Sequence, residues 1–266
     1  MRESWALILA SWRTATSYRM AMVISLAGLT FVVVPLYFIA NALQPTMQHA
    51  ISAEAQQYFG FVALGAICFS LISSCTTSLP SAIDGAIGRG TLEAILGTPA
   101  RLAAVCTGLM GYGVIWALVR AIILLAAATL LGATIVWRGA PLGFAVLLLT
   151  MLSYAGLGLI FAAMILAFRT TGPFSAVLLT ASMFLGGVYY PTTVIPSWVR
   201  DLAAFFPLTY GLRALRQLVL RGDSFAHVAR DVQMLAAMTT VSLALGTAVF
   251  YLALQRARRV GTLSSY

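Results

Sequence analysis

Long uncharged apolar runs alternate with short charged segments along the chain. Ala21–Ile51 contains no charged residue, and the stretches Gln57–Ser81 and Gly139–Phe168 are equally free of charge. Each is longer than the ~20 residues that a helix needs to cross a bilayer. The pattern predicts an all-α integral membrane protein.

The apolar runs predict six spans. Their expected bounds are 20–40, 57–79, 103–133, 142–167, 173–190 and 232–254. Only Arg120 is charged between Leu102 and Trp137, so this stretch fits either one long helix or two short ones. Arginines flank both ends of the chain, and positively charged flanks prefer the cytoplasm. Two cytoplasmic ends require an even number of spans, which favours one helix and places residues 80–101 in the cytoplasm.

Two further segments are expected to lie at the membrane surface. Residues 2–18 predict an in-plane amphipathic helix, because Trp5, Leu9 and Trp12 share one face. The segment 191–231 carries three prolines and five arginines, so it cannot simply cross lipid. An apolar stripe predicts a short outer helix there, closed by Gly222, with Arg213 and Arg216 pointing away from the stripe. The stripe consists of Leu208, Leu212, Leu215 and Val219.

The amino-acid composition indicates a membrane protein and excludes some classes of function. Of the 266 residues, 61% are hydrophobic and 9% are charged, against about 25% charged in soluble domains. All sixteen basic residues are arginine, which excludes a lysine-bearing phosphate loop. If ATP powers the protein, another chain must bind it, and we expect no cofactor in this one. The net charge of +9 comes from arginines at span ends, which suits anionic lipid head groups rather than nucleic acid.

The cysteines and histidines show no spacing that is typical of a metal or disulfide site. The three cysteines, Cys68, Cys75 and Cys106, lie in predicted spans without zinc or disulfide spacing. His49 and His227 lie far apart in predicted outer loops. The sequence therefore predicts no metal site.

One compact charged segment interrupts the apolar pattern, AIDGAIGRGTLEAILGTPAR at residues 82–101. Its part Asp84–Arg89 resembles the core of the signature of membrane CDP-alcohol phosphotransferases, which hold divalent metals with several aspartates. No aspartate follows until Asp201. One carboxylate cannot build such a metal site, which argues against this chemistry. The alternatives from other classes are a metal-dependent lipid-modifying enzyme and an assembly or scaffold membrane protein.

The same segment also has the features of a docking surface. Pro80 suits the first turn of a helix, Gly88 and Gly90 interrupt it, and a second short helix is expected over Thr91–Leu96. Such a helix is too short to be stable alone, and its apolar knobs and charges suit a partner's groove. The expected docking residues are Ile83, Asp84, Ile87, Arg89, Thr91, Leu92, Glu93, Ile95, Leu96, Thr98 and Arg101.

Two stretches resemble the permeases of ABC-2 type transporters. Arg89–Pro99 is similar to the R/E-x-G-T-L-E-x-L-L-x-T-P segment of that family. Gly186–Pro191, Ile195–Trp198 and Phe206–Tyr210 are similar to its pattern after the fifth span. The resemblance implies that 81–101 is a coupling helix and that 191–231 is a re-entrant extracellular hairpin. The candidate functional residues of this hairpin are Pro191, Pro196, Trp198, Pro207, Arg213 and Arg216.

The resemblance also implies partners and a role. Two copies of the chain, or this chain and a homologue, would form the pathway in a bacterial cytoplasmic membrane. Two ATP-binding subunits would hold ATP and Mg and hydrolyse the nucleotide, so the chain itself would not be an enzyme. The cargo is expected to be amphipathic, a lipid, glycolipid or hydrophobic drug, and the alternative is a polysaccharide or lipid-linked glycan.

Several residues are candidates for the path, each with a structural alternative. Arg120 either meets an anionic substrate or a gate ion pair, or it snorkels or forms a structural pair. Ser70, Ser74 and Ser78 share a helix face that either lines a conduit or packs closely on another helix. The outer aromatic residues form either a gate or an interfacial belt. They are Tyr189, Tyr190, Phe206 and Tyr210.

Overall fold

The computed structural model describes residues 19–91, 102–168 and 174–260. Within these ranges it has eight α-helices and no β-strand, which confirms the all-α class. The helices are α1 (Arg19–Ile51), α2 (Tyr58–Gly88), α3 (Leu102–Leu130), α4 (Ala140–Phe168), α5 (Phe174–Leu185), α6 (Ser197–Ala203), α7 (Pro207–Arg216) and α8 (Phe225–Val260). A π-helical turn, Gln217–Arg221, continues α7. The interfacial helix expected over 2–18 lies outside the described residues.

Four helical segments of the described chain are long and apolar enough to cross a membrane. They are Tyr58–Gly88, Cys106–Leu130, Trp137–Phe168 and Phe225–Ala257. The stretch after Leu102, for which one helix or two was expected, forms one continuous helix, α3. α1 is 33 residues long and contains the first expected span. The number of six spans stays a prediction.

The fifth expected span differs most from its prediction. The described part of this span, α5, has 12 residues and ends at Leu185, whereas the span was expected to run from 173 to 190. Twelve residues rise only about 18 Å, less than the ~30 Å of a hydrocarbon core. The chain turns directly afterwards, where Gly187 takes a φ of 74°.

The centre of the fold is α4, which packs against α2, α7 and α8. Small residues let the backbones approach closely. A Cβ added to Gly156 would lie 2.6 Å from the carbonyl carbon of Ser242 on α8. The Ser242 hydroxyl donates to the Ser153 carbonyl of α4 at 3.0 Å. On the opposite side, a Cβ at Gly158 would lie 2.9 Å from the Cys75 carbonyl of α2.

At its C-terminal end, which is predicted to face inward, α2 departs from the expected break. Pro80 does not begin a new helix, because α2 continues unbroken through it to Gly88. Proline costs a helix one hydrogen bond, but membrane helices tolerate this where neighbours pack against them, and Pro80 is buried. The interruption expected at Gly88 and Gly90 is confirmed: α2 ends there, and Gly90 takes a φ of 65°.

Candidate functional site

The end of the fold that is predicted to face outward, called the outer end here, is organised around Arg216, which closes α7. Its side chain is the largest fully buried one among the described residues, with 1% of the residue exposed. A guanidinium has five N–H donors, and here the structure gives it five hydrogen bonds. Nε and Nη2 donate to the Phe61 carbonyl at 3.3 and 3.1 Å, and Nη2 also donates to the Val188 carbonyl at 2.9 Å. Nη1 donates to the Gly187 carbonyl at 2.9 Å and to Glu54 Oε2 at 3.2 Å.

Three separate parts of the chain converge on this guanidinium. Glu54 belongs to the α1–α2 loop, Phe61 to the first turn of α2, and Gly187 to the turn after α5. The Phe61 ring also packs under the guanidinium, with Cζ 3.4 Å from the ring centre. Gly65 leaves the necessary room, because a Cβ there would lie 2.7 Å from Nη2 of Arg216. We call Glu54, Phe61, Gly187, Val188 and Arg216 the outer lock.

The charge of the outer lock is balanced inside the chain. Burial lowers the pKa of Arg216, while the charge of Glu54 and its hydrogen bond act in the opposite direction. The ordinary pKa of arginine is so high that the group stays protonated. Removing either partner would leave the other charge buried and alone.

The outer lock corrects one expectation. Arg216 was expected to point away from the apolar stripe of the outer helix, yet it is as buried as the stripe itself. The stripe residues are buried in the fold: Leu208, Leu212, Leu215 and Val219. Arg216 follows Leu212 by four residues and therefore lies on the same face. Sequence reasoning missed Glu54, although it is the one charged residue of the first outer loop.

The other candidate residues of the expected hairpin 191–231, which we call the outer segment, differ in their exposure to solvent. Pro191 and Pro207 are buried, whereas Pro196 is exposed and Trp198 is 69% exposed. Arg213 is half-buried and its Nη1 lies 3.5 Å from Asp231 Oδ1 of α8. The segment is thus anchored to α8 at its surface and to α2 through the outer lock.

The four outer aromatic residues do not form a cluster of rings in this chain. Among the described residues, ring contacts join Tyr37 with Phe38 and Phe59, and Tyr58 with Phe61. None involves the expected gate residues Tyr189, Tyr190, Phe206 and Tyr210. Instead, the Tyr189 backbone carbonyl accepts a 2.8 Å hydrogen bond from the Tyr58 hydroxyl.

The hydroxyl face of α2 continues inward from the outer lock and faces α3. Ser70, Ser74 and Ser78 are half-buried. The Ser74 and Ser78 hydroxyls donate to carbonyls one turn back on their own helix. A Cβ added to Gly113 of α3 would collide with the Ser78 hydroxyl, so the two helices are closely packed there. Close packing therefore accounts for Ser78.

Arg120 of α3 meets the same face one turn further out. Its Nη2 lies 3.4 Å from the Ser74 hydroxyl, and its Nε is shielded from solvent without a hydrogen-bond partner among the described residues. The contact directs the half-buried side chain toward α2. The substrate contact, the structural pair and snorkelling all stay predictions for this residue.

The docking segment is described only in its first half. Asp84, Arg89 and Thr91 are exposed beyond the bundle. Ile83, expected to face a partner, is 3% exposed and belongs to an inner core with Leu79 and Ala86. Ile87 packs partly against this core. Ile83 is corrected from a docking residue to a core residue, because α2 continues past Pro80 alongside its neighbours. The expected docking residues Leu92, Glu93, Ile95, Leu96, Thr98 and Arg101 lie outside the described residues.

Two cavities adjoin these elements. The first, of about 890 Å³, is apolar and lies between α2, α3, α4 and α8, with Cys75, Met110, Leu152, Leu159 and Phe250 in its wall. The second, of about 670 Å³, lies at the outer segment and is lined by charged and hydroxyl groups. Its wall includes Thr192, Arg200, Asp201, Tyr210, Arg230 and Asp231.

Comparison with known proteins identifies the family of this chain. The family model described as ABC-2 type transporter matches residues 4–220. The chain belongs to the ABC-2 type transporter family. It is also 26% identical over 204 residues to Nodulation protein J of Rhizobium leguminosarum bv. viciae, covering 76% of this chain and 78% of the relative. Nodulation protein J of Rhizobium meliloti (strain 1021) is 23% identical over 197 residues, covering 74% of each.

Membership in the ABC-2 family makes the chain a multi-pass membrane subunit of a transport system. The match includes α1 to α7, and so it covers both the outer lock and the docking segment. In this ABC-2 chain, α2 connects the two directly: its first turn carries Phe61 of the outer lock, and its last turn leads into residues 89–101.

Proposed function

We propose that the chain is the permease subunit of an ATP-driven exporter, and that residues 81–101 couple it to a separate ATP-binding subunit. The observation that carries this proposal is the continuity of α2. At 31 residues the helix is about 46 Å long, well beyond the ~30 Å of a hydrocarbon core. In this proposal its inner turns reach out of the membrane, while its outer turn is held by Arg216.

A continuous helix transmits displacement from end to end. Force from a partner on the inner end of α2 would move the outer lock through the helix, since the helix is unbroken between Tyr58 and Gly88. Asp84 and Arg89 are exposed at the inner end and available to the partner. In this proposal the ATP-binding subunits hold ATP and Mg, and two permeases, identical or homologous, form the path. Both ends of each permease lie on the cytoplasmic side of a bacterial cytoplasmic membrane.

The cargo we propose is amphipathic: a lipid, a glycolipid or a hydrophobic drug. The apolar cavity of about 890 Å³ supports this, because its size falls in the usual range of small-ligand pockets and its wall is almost entirely hydrocarbon. The hydroxyl face of α2 lies on the neighbouring side of the same helix. A cargo with one apolar and one polar part matches these two surfaces.

A polysaccharide or lipid-linked glycan is the second candidate cargo, and the outer cavity favours it. That cavity presents arginine, aspartate, threonine and tyrosine groups, which can hydrogen-bond to a hydroxyl-rich molecule. Comparing efflux of a labelled phospholipid with efflux of a labelled lipid-linked oligosaccharide from the same vesicles separates the two candidates.

The coupling proposal is tested by recovering the partner. The tagged chain is extracted from its native membranes in a mild detergent, and the proteins that accompany it are identified by mass spectrometry. We expect a soluble ATP-binding subunit with the wild type and with Val194→Asp, which places the same charge on an exposed aliphatic position of the outer segment. We expect its loss with Leu92→Asp. A chain that purifies alone under several mild conditions, or equal recovery with both variants, contradicts the proposal.

A further inference from the structure

Arg120 carries a positive charge at the depth of the membrane core. It lies 14 residues from the inner end and 10 from the outer end of the apolar segment Cys106–Leu130, which is about 21 Å and about 15 Å along the helix. Its guanidinium reaches Ser74 of α2, 16 residues or about 24 Å from the outer end of that helix. The charge therefore lies inside the bilayer and not at its surface.

Among the residues that the structure describes, no carboxylate lies close enough to balance that charge. The seven acidic residues are Glu3, Glu54, Asp84, Glu93, Asp201, Asp223 and Asp231, and none lies in 58–83 or in 94–200. Glu54 is already paired with Arg216, and Asp84 is ten residues, about 15 Å, from Ser74 along α2. A second copy of the same chain brings the same seven residues at the same depths.

The hydrogen bonds of Arg120 are likewise incomplete. The described residues give it a single bond of 3.4 Å to a serine, while its shielded Nε has none. By contrast, the guanidinium of the outer lock makes five bonds. An arginine inside a membrane is costly and is retained where it faces a polar path or a charged group.

We propose that Arg120 binds the anionic head group, a phosphate or carboxylate, of an amphipathic molecule that enters between α2 and α3. The half-buried hydroxyls of Ser70 and Ser74 provide the polar surface beside it, and the apolar cavity lies on the neighbouring side of α2 and α3. Arginine suits such a group because its fork of donors matches two oxygens at once. The identification of this molecule as cargo rests on the proposed function; the binding itself does not.

Binding is tested on the purified full chain in detergent, which requires no ATP-binding partner. The probes are two fluorescent lipids with identical chains, phosphatidic acid and diacylglycerol, followed by fluorescence anisotropy. We expect the wild type to prefer the phosphate probe by about tenfold or more, and Arg120→Gln to lose this preference while diacylglycerol binding stays the same. Equal binding of the two probes to the wild type, no binding of either, or an equal loss of both in the variant overturns the inference.

A second pair of variants keeps Arg120 in place. Ser74→Asp supplies an internal carboxylate at the contacting position and should abolish the preference for the phosphate probe. Ser74→Asn has the same size without the charge and should retain it. If Ser74→Asp binds phosphatidic acid like Ser74→Asn, Arg120 is not the anion site.

Transport then separates a cargo from a resident lipid. The chain and its ATP-binding partner are placed in vesicles, and ATP-dependent movement of each probe to the outer leaflet is measured by quenching. Selective binding with ATP-dependent movement of phosphatidic acid supports an anionic cargo. Selective binding with no movement of either probe keeps the anion site and counts against this class of cargo for the exporter.

Discussion

Replacing Arg216 with methionine removes the centre of the outer lock while keeping an unbranched side chain of similar reach. The change leaves the carboxylate of Glu54, whose side chain is 7% exposed, without its partner. It also leaves the carbonyls of Phe61, Gly187 and Val188 without the donors they have now. The stability of the outer end therefore rests on one side chain.

The expected cost follows from burial. Removing one member of a buried ion pair costs about 3–5 kcal/mol, because the remaining charge stays in a low dielectric. For a chain of this size, that corresponds to a fall of roughly 6–20 °C in melting temperature. Arg213→Met is the matched control, since Arg213 is 35% exposed and its contact with Asp231 is worth about 1 kcal/mol or less. Arg216→Lys should lie between the two, because it keeps the charge but has three donors instead of five.

The assay is thermal unfolding in one mild detergent, followed by tryptophan fluorescence, with a double-mutant cycle through Glu54→Gln. The double variant Arg216→Met/Glu54→Gln should be more stable than the sum of the single changes predicts, by about 0.5–3 kcal/mol. Equal melting temperatures of Arg216→Met and Arg213→Met would refute the role of the buried ion pair. Simple addition of the effects of Arg216→Met and Glu54→Gln would refute it as well.

Three further changes test the packing around these elements. Gly65→Ala places a Cβ 2.7 Å from the guanidinium of the outer lock and should lower the melting temperature by several degrees. The control is Gly88→Ala, whose Cβ has nothing within 4 Å and should shift the melting temperature by about 2 °C or less. Equal shifts of the two variants would contradict the close approach at Gly65. Tyr58→Phe removes the 2.8 Å bond to the Tyr189 carbonyl and should cost about 0.5–1.5 kcal/mol, seen as faster protease cleavage of the outer segment; an unchanged cleavage rate would argue against that bond. Gly156→Val should force α4 and α8 apart and abolish a monodisperse peak in size-exclusion chromatography, and a normal peak would show that the close approach is not required.

Apolar run length predicted the long helices well because a membrane helix must satisfy its own backbone. α4 begins at Ala140 and ends at Phe168, close to the expected 142–167. The same rule did not locate the end of α2, because Pro80 ends a helix in water but not beside packed neighbours. It also overestimated α5, where apolar residues after Leu185 line a turn instead of extending a span.

The outer lock was harder to predict, because charge normally indicates the surface. The stripe from Leu208 to Val219 correctly indicated the buried face of the outer helix. The position of Arg216 on that face, four residues after Leu212, was visible in the sequence but was outweighed by its charge. Only the pairing with Glu54, 162 residues earlier in the chain, explains the burial, and one sequence offers no way to see that contact.

The close contact of α4 with α8 has a consequence for biosynthesis. α8 begins 57 residues after the end of α4, so the ribosome releases α4 into the membrane well before its partner exists. Until then the small-residue groove at Gly156 and the polar atoms of Ser153 face lipid or the insertion machinery. A nascent chain that stops before Phe225 would thus carry an unfilled groove along its central helix, with the Ser153 carbonyl lacking its bond from Ser242.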